Sequence, residues 1–117
     1  MTQDSRQSLI ELLFLSLYLD NHLSLAEDEV LNTALDALGW DADLPREVFI
    51  LQAFAKAREA AGDELKTDAF LRSHADLLLR DGTAAPALTW LYKILGSDGI
   101  SMEEERFLKK LEKRLYP

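Results

Sequence analysis

The chain has 117 residues, of which 48% are hydrophobic and 29% are charged, the balance of one globular domain with a single core. Its net charge of -8 would repel phosphate backbones, so nucleic acid is not expected as a partner. It contains no cysteine, which excludes disulfides, a thiolate nucleophile and cysteine-based zinc sites and agrees with a cytoplasmic location.

The first apolar segment, LIELLFLSLYL, is predicted to be a helix buried on most of its sides, from about Ser5 to Leu19. It is shorter than the roughly 20 residues that a membrane span needs, and Glu11 interrupts it. The preceding MTQDSRQS has no basic region, so a signal peptide is not expected either.

Apolar residues recur at helical spacing through the rest of the chain, and glycine or proline marks most helix ends. Five further helices are predicted: from Ser24 to Gly39, from Pro45 to Gly62, from about Thr67 to Asp81, from Thr83 to Gly96, and from Met102 to about Leu115. We therefore predict an all-α fold, a compact single-domain helical bundle over residues 1–117.

Two of these helices have a predicted buried face. In the third helix the spacing places four apolar residues on one side, namely Val48, Leu51, Phe54 and Ala55. In the last helix the predicted buried stripe consists of Phe107, Leu108, Leu111 and Leu115.

Two loops near opposite ends of the chain have similar sequences. Residues 19–31 are LDNHLSLAEDEVL and residues 97–108 are SDGISMEEERFL. Ser24 with Glu27, and Ser101 with Glu104, fit the capping box, in which serine and glutamate satisfy each other's backbone N–H groups at a helix start. The repeat predicts two similar helix-loop-helix units, formed by the first and the last helix pair around a central pair.

Capping does not account for Asp20 and Asp98, which follow apolar helices where the helix dipole disfavours an anion. Each aspartate could belong to the turn, could point across the loop toward the N-terminus of the next helix, or could join Glu27 or Glu104 around a cation. The spacing leaves these alternatives open. An EF-hand is excluded, because Ile100 and Met102 stand where that loop needs oxygen ligands.

The repeated acidic turn followed by hydrophobic-Ser-x-x-Glu resembles the tellurite-resistance TerB-like family of small all-helical chains. The resemblance implies a role in bacterial stress or tellurite resistance through protein partners, in the cytoplasm or peripherally at the inner face of the membrane. It also implies a divalent cation of the calcium or magnesium type, for which the matching residues are Asp20, Glu27, Asp98 and Glu104. This chain departs from the family's pattern at Asn21, and its second loop is one residue shorter.

No residue pattern predicts catalysis. The chain has no nucleotide-binding loop and no G-x-S-x-G elbow, so an enzyme is not expected, and metal-assisted hydrolysis at the loop acids is the weakest hypothesis. His22 is interpreted as an exposed loop residue and His74 as a partly buried, hydrogen-bonded one. The alternative to an interaction module with a cation is a scaffold module whose acidic loops are only helix caps.

The last helix has acids at its start and bases towards its end, as the helix dipole favours, and it includes the i,i+4 pair Glu105–Lys109. Its bases are Arg106, Lys109, Lys110, Lys113 and Arg114. We interpret it as a solvated helix. The alternative is a basic strip for an acidic partner or an anionic membrane.

Overall fold

A computed structural model describes residues 1–20, 25–96 and 99–117, and in residues 25–31 it describes the side chain of Glu29 alone. The described part is all-helical, as the sequence predicts, and has no strand. Its helices are α1 (Gln3–Asp20), α2 (Leu25–Leu38), α3 (Arg46–Ala61), α4 (Glu64–Arg80), α5 (Ala84–Leu95) and α6 (Met102–Leu115).

Helix α1 forms the centre of the bundle and packs against α3, α4, α5 and α6. Every residue from Ser8 to Leu17 is buried, including Glu11 and Ser16, which explains why this segment is apolar on nearly all sides. Among the described residues no helix is both long and apolar enough to cross a membrane.

Glycine and proline set the helix ends much as predicted. Gly39 follows α2 with a φ of 79°, a backbone conformation that other residues adopt at a cost. Pro45 directly precedes α3 with a φ of -58°. Helix α4 begins at Glu64, earlier than the predicted start near Thr67, because the side chain of Asp63 accepts a hydrogen bond from the Leu65 amide at 2.8 Å and caps the helix.

The predicted buried face of α3 is wrong. Leu51 is 71% exposed and Val48 is 40% exposed, and Ala55 also faces solvent. The face that packs into the core consists of Phe49, Ala53, Ala57 and Ala60. Three of these are alanines, whose small side chains let neighbouring helices approach closely, so the largest apolar residues are poor guides to the buried side here.

Phe54 is the one member of the predicted set that contributes to the core. It is half-buried, and its ring stacks on Phe14 of α1 with the centroids 4.0 Å apart. The prediction for α6 is confirmed, since Phe107, Leu108, Leu111 and Leu115 are all buried.

Candidate functional site

The end of α1 meets the start of α6. Asp20 is the last residue of α1, and Ser101 is the N-cap of α6. The Ser101 hydroxyl donates a hydrogen bond to Asp20 Oδ1 at 2.8 Å, across 81 residues of sequence. An aspartate from one of the two similar loops is thus bonded to the capping serine of the other.

The second loop forms the capping box that its sequence predicts. Ser101 Oγ accepts a hydrogen bond from the Glu104 amide at 3.1 Å, and the Ser101 amide donates to Glu104 Oε1 at 2.9 Å. Gly99 has a φ of 86°, which suits a glycine in the turn before the cap. Asp20 therefore lies at the positive end of the α6 dipole, which stabilises an anion there and offsets its position at the end of α1.

Glu104 has one oxygen that the capping box does not use. The residue is 2% exposed, and in the described part of the chain Glu104 Oε2 is buried with no hydrogen-bond partner. Burying a carboxylate oxygen without a partner costs free energy, so we expect a water molecule or an ion to contact it.

Two of the four predicted cation ligands, Asp20 and Glu104, can be placed, and both lie at the junction of α1 and α6. Asp98 lies outside the described residues, and so does the side chain of Glu27. Within the described residues no group of three or more His, Cys, Asp or Glu side chains could hold a metal ion. The two carboxylates are the kind of donor that calcium and magnesium prefer, and they supply two of the six or more oxygens that such an ion needs.

The first loop's predicted capping box, formed by Ser24 and Glu27, and His22 also lie outside the described part of the chain. The remaining prediction for a histidine is confirmed. His74 is half-buried, with Nε2 2.8 Å from Glu11 Oε2 and Nδ1 2.9 Å from Ser8 Oγ.

The Ser8–His74–Glu11 arrangement has the order of a catalytic serine-histidine-acid triad. Ser8, however, is only 2% exposed within the core, so its hydroxyl cannot meet a substrate. Lys56 of α3 completes the network with Nζ 3.5 Å from Glu11 Oε1. The network ties α1 to α3 and α4, and we interpret it as structural.

Burial by itself would raise the pKa of Glu11, but the hydrogen bonds and positive charges of His74 and then Lys56 outweigh that effect and lower the pKa below 4.5. The sequence offered a signal for this network: a glutamate in a helix that is otherwise apolar needs a charged or hydrogen-bonding partner when it is buried.

Polar contacts also join α5 and α6. The Tyr92 hydroxyl donates a hydrogen bond to Glu112, and this bond raises the pKa of Tyr92 to about 12. The predicted pair Glu105–Lys109 on α6 is confirmed, with Nζ 3.1 Å from Oε1.

The chain matches no protein-family model, no curated protein and no solved structure.

Proposed function

We propose that the chain is a non-enzymatic interaction module of the TerB-like kind, in which the junction of the two similar loops takes up a divalent cation of the calcium or magnesium type. The observation that carries this proposal is that Glu104 Oε2 is buried without a partner among the described residues, at the same helix start where Asp20 from the other end of the chain bonds to Ser101. The cation would be held by Asp20 and Glu104, with Glu27 and Asp98 as the further ligands that the repeat predicts.

The role proposed for the cation is to neutralise these acids and fix the position of both loops. A protein partner would then bind the ordered surface, in a stress or tellurite-resistance system in the cytoplasm or at the inner face of the membrane. The acidic surface of the chain favours a partner with basic residues, because its net charge is -8.

The capping box supports a second candidate function. In a scaffold module the Ser101–Glu104 cap would stabilise the start of α6, and the Asp20 bond would hold α1 against α6. Neither role uses an ion. The two candidates differ in their response to divalent ions.

Thermal unfolding in chelator and in increasing calcium, magnesium or manganese tests the proposal, with calorimetry to give the affinity. An ion at about 100 times its Kd adds about 2.7 kcal/mol to the free energy of unfolding, which raises Tm by roughly 10 °C for a domain of this size. The scaffold alternative predicts no shift and no heat of binding.

The matched variants are Asp20→Asn with Glu104→Gln, and Asp43→Asn with Asp76→Asn. Asparagine and glutamine keep the acceptors for the Ser101 contacts and remove only the two charges. Asp43 and Asp76 are exposed acids elsewhere on the chain. Loss of the ion response in the first pair alone supports the proposal, whereas equal behaviour of the two pairs contradicts it.

A further inference from the structure

A groove of about 540 Å³ lies between the turn that joins α3 to α4 and one side of α6. It is separate from the Glu104 carboxylate, and its volume is in the range of pockets that hold a single small molecule. Its lining combines apolar residues with four bases of α6 and with three acids, Asp63, Glu64 and Glu103.

The floor of the groove is apolar. Leu71 of α4 and Phe107 of α6 reach it from the core, and Leu19 reaches it from the last turn of α1. Ala61 at the end of α3 leaves room beside them because its side chain is small. An apolar chain lying on this floor would remove exposed carbon from water, which favours binding.

One wall of the groove carries four bases of α6, namely Arg106, Lys109, Lys110 and Lys113. Their spacing places them on one face of the helix, over about 10 Å of its length. A cluster of bases is unusual on a chain with a net charge of -8, so an anion would be attracted to this wall more than to the rest of the surface.

These bases are only partly neutralised. Lys109 pairs with Glu105 at 3.1 Å, and Lys110 lies 4.0 Å from Asp68, at the limit of an ion pair. In the described part of the chain no carboxylate lies within 4.0 Å of Lys113 or Arg106. Such exposed pairs are weak, so a ligand anion can compete for the lysines.

We propose that the groove binds a free long-chain carboxylate, with its head group against Lys110 and Lys113 and its hydrocarbon chain on Leu19, Leu71 and Phe107. The basic wall selects the charge of the head group and the apolar floor selects the chain. The proposal is independent of the cation site, because none of its contacts uses Asp20 or Glu104.

Titration of the full chain with dodecanoate below its micelle concentration, in chelator, tests the proposal by calorimetry and by amide chemical shifts. We expect saturable one-to-one binding that weakens as salt rises. The shifts should cluster at residues 61–64 and 106–113. Affinity should increase roughly fourfold for each methylene from octanoate through decanoate to dodecanoate.

Two variants test the two parts of the groove. Lys110→Glu with Lys113→Glu should weaken dodecanoate binding roughly tenfold or more, because it replaces attraction at the head group by repulsion. The control with the same change of charge is Arg80→Glu with Arg114→Glu, two exposed bases outside the groove. Ala61→Phe should abolish binding by filling the groove while leaving every charge in place, with circular dichroism checking that the variant is folded.

Several results would overturn the proposal. Dodecyltrimethylammonium could bind as tightly as dodecanoate, which would assign recognition to Asp63, Glu64 or Glu103 at the groove's acidic edge or to the floor alone. The chain could bind anionic lipid vesicles but no free dodecanoate, which would make the wall a membrane contact. It could also form a dimer that the lysine variants disrupt, or show no saturable binding at all.

Discussion

At the scale of single residues, the most informative contact is the hydrogen bond from Ser101 to Asp20. The sequence leaves three interpretations of Asp20 open, one of which places it at the N-terminus of the next helix, and in the structure it bonds to the N-cap of a distant helix. That helix is α6, whose N-cap Ser101 is 81 residues away in the sequence. Nothing in local spacing can reveal such a partner, because it is chosen by the packing of α1 against α6.

Replacing Asp20 by alanine should lower the free energy of unfolding by roughly 1–3 kcal/mol, because the Ser101 hydroxyl loses a charged acceptor at the start of α6. Asp20→Asn keeps an acceptor and should cost clearly less in the absence of divalent ions. Urea unfolding in chelator measures both. Equal costs for the two variants would mean that the hydrogen bond contributes little.

The lowered pKa of Glu11 predicts how the free energy of unfolding depends on pH. Its pKa is lower in the folded chain than in the unfolded chain. The stability that ionised Glu11 contributes is therefore complete above about pH 4.5, the unfolded-state pKa, and is lost as the pH falls through the lower folded-state pKa. The variant Glu11→Gln cannot make this contribution. The stability difference between the parent chain and Glu11→Gln, measured by urea unfolding between about pH 5 and pH 3, should therefore shrink as the pH falls. A difference that stays constant or grows would contradict the assignment.

At the scale of helices, the sequence predicts where a helix ends better than it predicts which of its faces is buried. Gly39, Pro45 and Gly62 mark helix ends because their backbone preferences act locally, wherever the helix later packs. The buried face of α3 depends on its neighbours instead. Two candidate faces compete in its sequence, one with Val48 and Leu51 and one with alanines, and close packing against α1 and α4 favours the alanines.

This correction can be tested by paired substitutions on α3. Leu51→Lys should change the free energy of unfolding by less than about 0.5 kcal/mol, since Leu51 is 71% exposed. Ala53→Leu should cost roughly 1–3 kcal/mol, because Ala53 is fully buried and has no room for a larger side chain. Thermal unfolding would contradict the observed face if the order of the two costs were reversed.

The capping box of α6 shows what a local motif can and cannot predict. Ser101 and Glu104 form both backbone contacts that S-x-x-E predicts, because every atom involved lies within one helical turn. The same motif gave no indication that Glu104 would be buried with one oxygen unpartnered. That feature depends on the helices that surround the start of α6.

At the scale of the whole molecule, α1 is fixed at three levels by polar contacts to other elements. Near its start Ser5 Oγ lies 2.7 Å from Thr83 Oγ1 at the N-cap of α5, and at its middle Glu11 contacts His74 of α4. At its end Asp20 bonds to Ser101. A helix that is apolar on nearly all sides could otherwise rotate or slide in the core, so these contacts set its register.

The predicted cation site requires that acids from opposite ends of the chain come together, and the bond between Asp20 and Ser101 joins the described parts of both loops. A bound cation would explain both the buried Glu104 oxygen, which has no partner among the described residues, and the approach of Asp20 to the same helix start. It requires that one ion lie near the last turn of α1 and the first turn of α6 at once.

Paramagnetic broadening of amide signals by Mn²⁺ measures this requirement directly. We expect the amide signals of residues 17–20 and 101–105 to broaden together at low Mn²⁺, with an effect that saturates and that excess magnesium or calcium reverses. In Asp20→Asn with Glu104→Gln this joint broadening should be absent. The proposed cation site is contradicted if the signals of both segments stay sharp while those of exposed acids such as Asp43 and Asp76 broaden in proportion to the Mn²⁺ added.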